Sequence, residues 1–277
     1  MPDADGDLDS PGSASGSRAH GHLFGSDERS DSAGFPWEGR RFERNPSSGD
    51  DGSPDAGLLT ALTAFASGSG DAAEVIDAVR TARLLVPLLA HAGDLGETAD
   101  GHVVDKTQEL SIATVRAPDG RAVLPAFSSM QTMSAWNPSA RPVPAVGPRI
   151  ALAAASEQTE LVVIDPTGDT EFVLRRPAVK ALATGEPWRP PWTDATVLND
   201  FRAALSGEDL VTGLVLANGD PTARLTGPEV EVVLTLVPGL HQDALDALIT
   251  RLTSAWSASP LIADRVDSMT LRLRSAS

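Results

Sequence analysis

The sequence contains no cysteine and no tyrosine, and lysine occurs only at Lys106 and Lys180. Without cysteine the chain cannot form disulfides, zinc–thiolate sites or a cysteine nucleophile. Positive charge is also scarce, because 22 Lys and Arg face 38 Asp and Glu, which leaves a net charge of −16. This balance argues against binding to nucleic acid, which needs clustered Lys and Arg, and against binding to an anionic membrane surface.

Long hydrophobic runs are lacking as well. The longest strongly apolar run, Leu84 to Ala90, is too short to span a bilayer and is interrupted by Pro87. The initial Met-Pro-Asp-Ala-Asp lacks the basic and apolar regions of a signal peptide. We therefore expect a cytoplasmic protein that does not associate with membranes.

The length of 277 residues predicts two folded units and a tail. The expected fold class is α+β, with two small mixed domains that each have helices packed on a β-sheet. The first residues are Asp, Gly, Ser and Pro with almost no apolar content, so burial cannot offset their ordering entropy. The predicted segments are a disordered acidic tail at 1–34, an aromatic and basic extension at 35–55, an N-terminal α+β domain at 56–186, a Pro/Trp linker at 187–193, and a C-terminal α-β-β-α-β domain at 194–277.

The extension interleaves Phe35, Trp37 and Phe42 with arginines. Intrachain burial is the usual outcome for aromatic side chains, so we expect the extension to dock on its own domain. A partner-binding peptide is the alternative.

In the N-terminal domain, capping and turn residues mark the elements. Asp55 and Asp71 precede apolar residues at helical spacing, and Pro177 and Gly185 start and end a later helix. The expected elements are helices from Asp55 and Asp71, a buried strand from Arg83, a hairpin of 110–117 with 121–127 across Pro118-Asp119-Gly120, helices at 128–136 and near 149–156, and a hairpin of 161–164 with 171–174.

The C-terminal domain shows both periodicities clearly. Residues 229–237 and 269–274 alternate apolar and polar side chains as strands do, and 245–256 carries the apolar stripe of a helix. A helix from Asp194 and a strand at 210–217 precede them. This order predicts a small sheet covered on one face by helices.

No pattern predicts a reactive centre. The alternating acids from Asp3 lack the Gly and Glu of a calcium loop, and the histidines form no metal-binding pattern. Gly68-Ser69-Gly70 follows a helix, so it is a helix connector instead of a dinucleotide loop. Asp165 precedes Pro166, which favours capping of a turn over catalysis. We therefore predict no catalytic, cofactor-binding or metal-binding residue, and no cofactor.

The proline-rich pieces are the candidates for binding. Proline at 138, 142, 144 and 148 predicts an extended surface loop. Pro187-Trp188-Arg189-Pro190 matches a minimal PxxP ligand, but we favour packing of Trp188 and Trp192 at the domain boundary.

Several elements together resemble the SseB (serine-sensitivity) family. The run from Asp50-Asp51-Gly52 through Pro125-Ala126-Phe127, Trp136-Asn137-Pro138 and Asp165-Pro166 to Gly185 is similar to the SseB N-terminal domain. Residues from about 194, including Pro238-Gly239-Leu240, are similar to its C-terminal companion. The resemblance implies α+β domains of unestablished biochemistry and transfers no catalytic residue.

We accordingly expect a non-catalytic protein-binding or regulatory module that engages another protein or itself. The alternative is an enzyme or sensor for a small metabolite bound between the domains. The predicted contact surface consists of Phe127, Trp136, Pro138, Pro142, Pro144, Trp188 and Trp192.

Overall fold

The computed structural model describes residues 49–276, except for 93–94, 98–102 and 106–107. Residues from Gly49 onward form one compact unit. Helices and mixed sheets confirm the predicted α+β class. The predicted tail at 1–34 and most of the extension at 35–55 lie outside the described residues. The division into domains around 187–193 stays a prediction.

The helices of the described residues mostly begin and end where local signals place them. Asp55 and Asp71 accept hydrogen bonds from backbone N–H groups of the first turns, and Gly185 ends its helix at a φ of 75°. The helices are α1 Ala56–Ala66, α2 Ala72–Thr81, α3 Met130–Trp136, α4 Gly147–Ser156, α5 Arg176–Thr184, α6 Ala195–Ala203, α7 Gln242–Ala258 and α8 Pro260–Arg265, with a 3₁₀ turn at Pro191–Thr193.

The strands in the described part of the chain are mostly short and belong to four small sheets. They are β1 Arg83–Ala92, β2 Leu95–Glu97, β3 Val103–Asp105, β4 Gln108–Ile112, β5 Val115–Arg116, β6 Ala122–Ala126, β7 Arg141–Val146, β8 Val162–Ile164, β9 Phe172–Leu174, β10 Val211–Asn218, β11 Val230–Leu236 and β12 Met269–Ser275.

The first half of the compact unit is built around the parallel pair β6 and β8. β5 and β9 pair antiparallel on either side, which gives the order β5-β6-β8-β9. A sheet with the order β4-β1-β7 joins this one through a bridge between Leu85 and Phe127. Helices α1, α2, α4 and α5 pack on one face, where their apolar side chains bury Leu124 and Ile164.

The second half is a sheet with the order β10-β11-β12. β11 lies between antiparallel β10 and parallel β12, and its alternation turns Val230, Val232 and Leu234 toward the helices. Trp256 of α7 is buried there, and its Nε1 donates to the carbonyl of Phe201 at 3.1 Å, so the indole N–H is satisfied.

Two predictions about the strands are wrong. Residues 110–117 are not one hairpin strand, because β4 pairs with β1 and only β5 pairs with β6. Pro142 and Pro144 do not lie in a loop but in β7, which pairs with β1 at the edge of its sheet. An edge strand accepts proline where the missing N–H would face away from its neighbour. Helix α8 was not predicted.

Candidate functional site: a buried charge network beside an apolar groove

Arg175 is the centre of a buried polar network that connects the two halves. It lies between β9 and α5, and only 7% of its surface is exposed. Its Nη2 donates to Asp220 Oδ2 at 2.7 Å and to the Gly227 carbonyl at 2.7 Å. Its Nη1 donates to Asp267 Oδ2 and to Ser268 Oγ, both at 3.1 Å. The guanidinium therefore holds the β10–β11 loop and the residues before β12 against the first half.

Asp267 receives a second guanidinium. Arg121 Nη1 and Nη2 donate to its two carboxylate oxygens, each at 2.9 Å. Burial alone would raise the pKa of Asp267, but the hydrogen bonds and charge of Arg121 and the charge of Arg175 hold it below its usual value. The hydrogen bond to Asp267 likewise raises the pKa of Arg121. Asp267 is therefore a paired carboxylate.

Glu229 lies beside this pair but has a different environment. Its surface is 3% exposed, and burial raises the pKa of its carboxyl to about 7. The backbone N–H of Asp267 donates to Glu229 Oε2 at 2.6 Å and partly opposes this shift. The backbone N–H of Glu229 itself donates to Ser268 Oγ at 3.0 Å. Burial thus brings the pKa of Glu229 close to neutral pH.

Asp220 organises the loop between β10 and β11. Its Oδ2 accepts from the Leu225 N–H at 2.8 Å, and its Oδ1 accepts from Thr226 Oγ1 at 2.9 Å. A Cβ on Gly227 would lie 2.4 Å from the carbonyl oxygen of Gly219, so the two ends of the loop approach too closely for a side chain. These contacts fix the loop in one conformation.

The loop lies along the edge of β9. The Val173 N–H donates to the carbonyl of Ala223 at 2.8 Å. Ala223 and Leu225 have φ values of 50° and 56°, a conformation that non-glycine residues rarely adopt. The strain is held by the buried hydrogen bonds of Asp220 and places Leu225 on the sheet face opposite the helices.

Leu225 covers only part of that face and leaves a hollow of about 250 Å³, which we call the sheet groove. Trp136, at the end of α3, bounds it, and its ring lies 5.2 Å from that of Phe127. Arg116 donates to the Gly120 carbonyl at 2.9 Å and Arg224 to the Gly168 carbonyl at 3.0 Å. The charged lining is Arg116, Glu171 and Arg224, and the apolar lining is Val115, Ala117, Pro118, Val123, Trp136, Val163, Pro166, Val173 and Leu225.

A much smaller cavity lies between the β5-β6-β8-β9 sheet and the β10-β11-β12 sheet. Its volume is about 30 Å³, and Trp188, Trp192, Arg175, Asp220 and Glu229 are among its lining residues. Trp188 Nε1 has no hydrogen-bond partner among the described residues. The cavity has room for about one water molecule.

Asp165 has a tertiary role that differs from the predicted turn cap. Its carboxylate accepts from the Ser128 N–H at 2.8 Å, from Ser128 Oγ at 2.7 Å and from Thr170 Oγ1 at 3.0 Å. The backbone of Asp165 does form a turn, with the Gly168 N–H donating to its carbonyl. The side chain instead ties the end of β8 to the end of β6, which are neighbours because the two strands are parallel.

The residues of the predicted contact surface lie in different places. Phe127 is 0% exposed, so its side chain is core and not surface. Trp136 lines the sheet groove, whereas Trp188 and Trp192 line the small cavity. Among the prolines, 138 and 142 are exposed and 144 is half-buried.

Sequence reasoning missed Arg175, Asp220, Glu229 and Asp267. The glycines and prolines around 219–228 mark a loop, but no local pattern indicates that its carboxylate meets an arginine 45 positions earlier. Among the described residues, no His, Asp and Glu side chains are grouped to hold a metal ion. No helix within these residues is long and apolar enough to cross a membrane.

Comparison with known proteins identifies the first half. The family model of the SseB protein N-terminal domain matches residues 58–181, from α1 into α5, which include the sheet under the groove. No curated protein and no solved structure matches the chain. The resemblance of residues from about 194 to an SseB C-terminal domain stays a prediction. Within residues 58–181, therefore, this chain has an SseB N-terminal domain.

Proposed function

We propose that this chain, which has an SseB N-terminal domain, is a non-catalytic cytoplasmic module that binds a partner protein. The sheet groove receives an apolar side chain of the partner against Trp136. The observation that carries the proposal is a contrast between two places. The side chains of Arg175, Asp220 and Asp267 are bound to one another, whereas the apolar groove is open to a ligand.

The charge network supports a structural role. A general acid or base must reach a proton of the substrate. Both oxygens of Asp267 already accept from Arg121, and Arg175 donates to two carboxylates. A substrate could bind here only by breaking these bonds, which would leave a buried charge unpaired.

The lining of the groove is suited to bind an apolar side chain of a partner that lies next to an acidic side chain. Its floor is formed by valine side chains and Leu225, and Trp136 offers a broad apolar surface. Arg116 and Arg224 donate to carbonyl oxygens and form no ion pair within the described part of the chain. A partner segment with a large apolar residue beside Asp or Glu is therefore complementary to the groove.

A photoreactive amino acid in place of Thr167, an exposed residue that lines the groove, tests the proposal. The same amino acid in place of Asp246, exposed on α7, is the control. In native cytosol we expect position 167 to cross-link to one discrete protein and position 246 to give none.

A blocking variant makes the result specific to the groove. Ala117→Trp fills the groove and should reduce the cross-linked yield at least about ten-fold. Thr114→Trp, at an exposed residue just before β5 and outside the groove, should not. Equal yields at positions 167 and 246, or a yield that Ala117→Trp leaves unchanged, would refute the proposal.

One observation favours the alternative of an enzyme or sensor for a small metabolite. Glu229, with its pKa of about 7, lines the small cavity between the sheets. At about 30 Å³ this cavity must open before a metabolite can enter. A metabolite that raises the Tm of the wild-type protein but not of Glu229→Gln would support this alternative.

A further inference from the structure

Among the described residues, β12 is the outer strand of its sheet, and one of its edges pairs with no other strand. It pairs in parallel with β11 over its whole length, from Met269 to Ser275. The Val230 N–H donates to the Ser268 carbonyl, and the Ala276 N–H donates to the Leu236 carbonyl. Even-numbered residues of β12 therefore direct their backbone groups toward β11, and odd-numbered residues direct theirs outward.

The outward backbone groups of β12 are open to pairing. Within the described part of the chain, no hydrogen bond is made by the backbone N–H of Met269, Leu271 or Leu273. None of these positions is proline, and the pairing with β11 has no bulge. Such an edge is a template for another strand.

The outer edge of β7 is protected against the addition of a strand, whereas the outer edge of β12 is not. Leu85 exchanges hydrogen bonds with Phe127, so its backbone faces away from its β7 neighbour Pro144. Pro144, and Pro142 by the same alternation, then present their ring nitrogens to the outside of the sheet. The outer edge of β7 lacks N–H donors at both positions, which prevents the addition of a strand.

Side chains at β12 also leave apolar surface uncovered. Leu271 and Leu273 lie opposite Val232 and Leu234 and share their helix-covered face. Leu271 is half-buried, whereas Leu273 remains 37% exposed because the helices do not cover this end of the strand. A strand added at this edge would cover Leu273.

We infer that β12 pairs antiparallel with β12 of a second copy of the chain, about a two-fold axis at Leu271. Charge excludes the registers that are centred further toward the end of the strand. Centring the pair on residue 272 or 273 would place arginines directly opposite each other, which is destabilising. Centring it on Leu271 places Arg272 opposite Thr270 and Leu273 opposite Met269 of the second copy.

The proposed pairing satisfies the backbone and keeps the layers aligned. Residues 269–273 of the two copies exchange about six hydrogen bonds, and the two three-stranded sheets become one continuous sheet with its helices on one side. The inference does not depend on the sheet groove, which belongs to the other half of the fold.

The oligomeric state of the full chain tests the inference. Sedimentation over about a hundred-fold range of concentration should give a concentration-dependent dimer. Leu273→Pro removes an outward N–H while leaving the hydrogen bonds to β11, so it should give a folded monomer by circular dichroism. Val215→Lys changes an exposed residue of the opposite edge strand and should remain dimeric. A wild-type monomer at every concentration, or a dimer that Leu273→Pro leaves intact, would overturn the inference.

Cysteine cross-linking tests the register, because the chain has no cysteine of its own. In the proposed pair, position 271 faces itself at a Cα separation of about 5.5 Å, which a disulfide can bridge. Leu271→Cys should therefore form a disulfide-linked dimer on mild oxidation, and Leu273→Cys should do so much more slowly. Equal rates for the two variants, or faster linkage through position 273, would contradict the register.

Discussion

Arg175 Nη2 lies 2.7 Å from Asp220 Oδ2, and both side chains are buried. The pair joins the end of β9 to the loop between β10 and β11, so it connects the core of the first half to a loop of the second. Because both charges are removed from water, each partner is costly to bury without the other. The position of the loop over the sheet, and hence the groove, depends on this contact.

Asp220→Ala is therefore expected to lower the free energy of unfolding by about 3–5 kcal/mol, because it leaves the Arg175 guanidinium partly unpaired in the interior. Asp119→Ala, which removes a more exposed partner of Arg121, is expected to cost no more than about 1 kcal/mol. Urea unfolding followed by circular dichroism measures both. A loss for Asp220→Ala no larger than that for Asp119→Ala would mean that the network contributes little.

Glu229 predicts an unusual pH dependence. Its pKa in the folded protein is about 7, compared with 4.5 ordinarily, so between these values the folded state binds the extra proton. Stability should therefore decrease as the pH rises from about 4.5 to about 7, by roughly 3 kcal/mol, and change no further from this group at higher pH. Urea unfolding at a series of pH values measures the slope.

The matched variants identify the source of that slope. Glu229→Gln cannot ionise and should remove the decrease between pH 4.5 and 7. Glu208→Gln, at a surface glutamate that binds Arg251, should leave the decrease unchanged. Asp267 affects stability in the opposite sense and at lower pH. Because its pKa in the folded protein is depressed, its contribution to the free energy of unfolding is present above about pH 4 and is lost as the pH falls through the depressed value.

The loop between β10 and β11 should not tolerate a side chain at its narrow point. Gly227→Ala would push a Cβ against the backbone oxygen of Gly219, and we expect it to cost about 1–3 kcal/mol. Gly213→Ala is the control, since its Cβ would lie 3.5 Å from Thr235 in ordinary contact. Thermal unfolding compares the two variants, and equal Tm values would indicate that the loop adjusts freely.

Truncation of Phe127 and of Trp136 should cost different amounts of stability, because the two side chains differ in burial although their rings are in contact. Phe127 is fully buried, so Phe127→Ala is expected to cost about 3–5 kcal/mol. Trp136 is half-buried at the groove, so Trp136→Ala should cost about 1–3 kcal/mol and leave a folded protein. Urea unfolding gives the ranking, and a larger loss for Trp136→Ala would place Trp136 in the core and weaken its proposed role in binding.

Much of the fold could be predicted because its signals are local. Asp55 and Asp71 cap helices through hydrogen bonds that span three residues, and Gly185 ends a helix through its own φ. Strand pairing was less predictable. Residues 110–117 look like one strand, but their division between β1 and β6 depends on partners distant in the chain.

The sequence by itself determined the α+β class, the capped helices, the alternating strands β11 and β12, and the resemblance to the SseB N-terminal domain, because each depends on residues close together along the chain. Only the tertiary structure decided that Arg175 meets Asp220 and Asp267, that Pro142 and Pro144 form a protected edge, and that Trp136 bounds a groove. The physical reason is that a buried charge, a sheet edge and a hollow are each defined by neighbours in space, and folding brings those neighbours from tens of positions away.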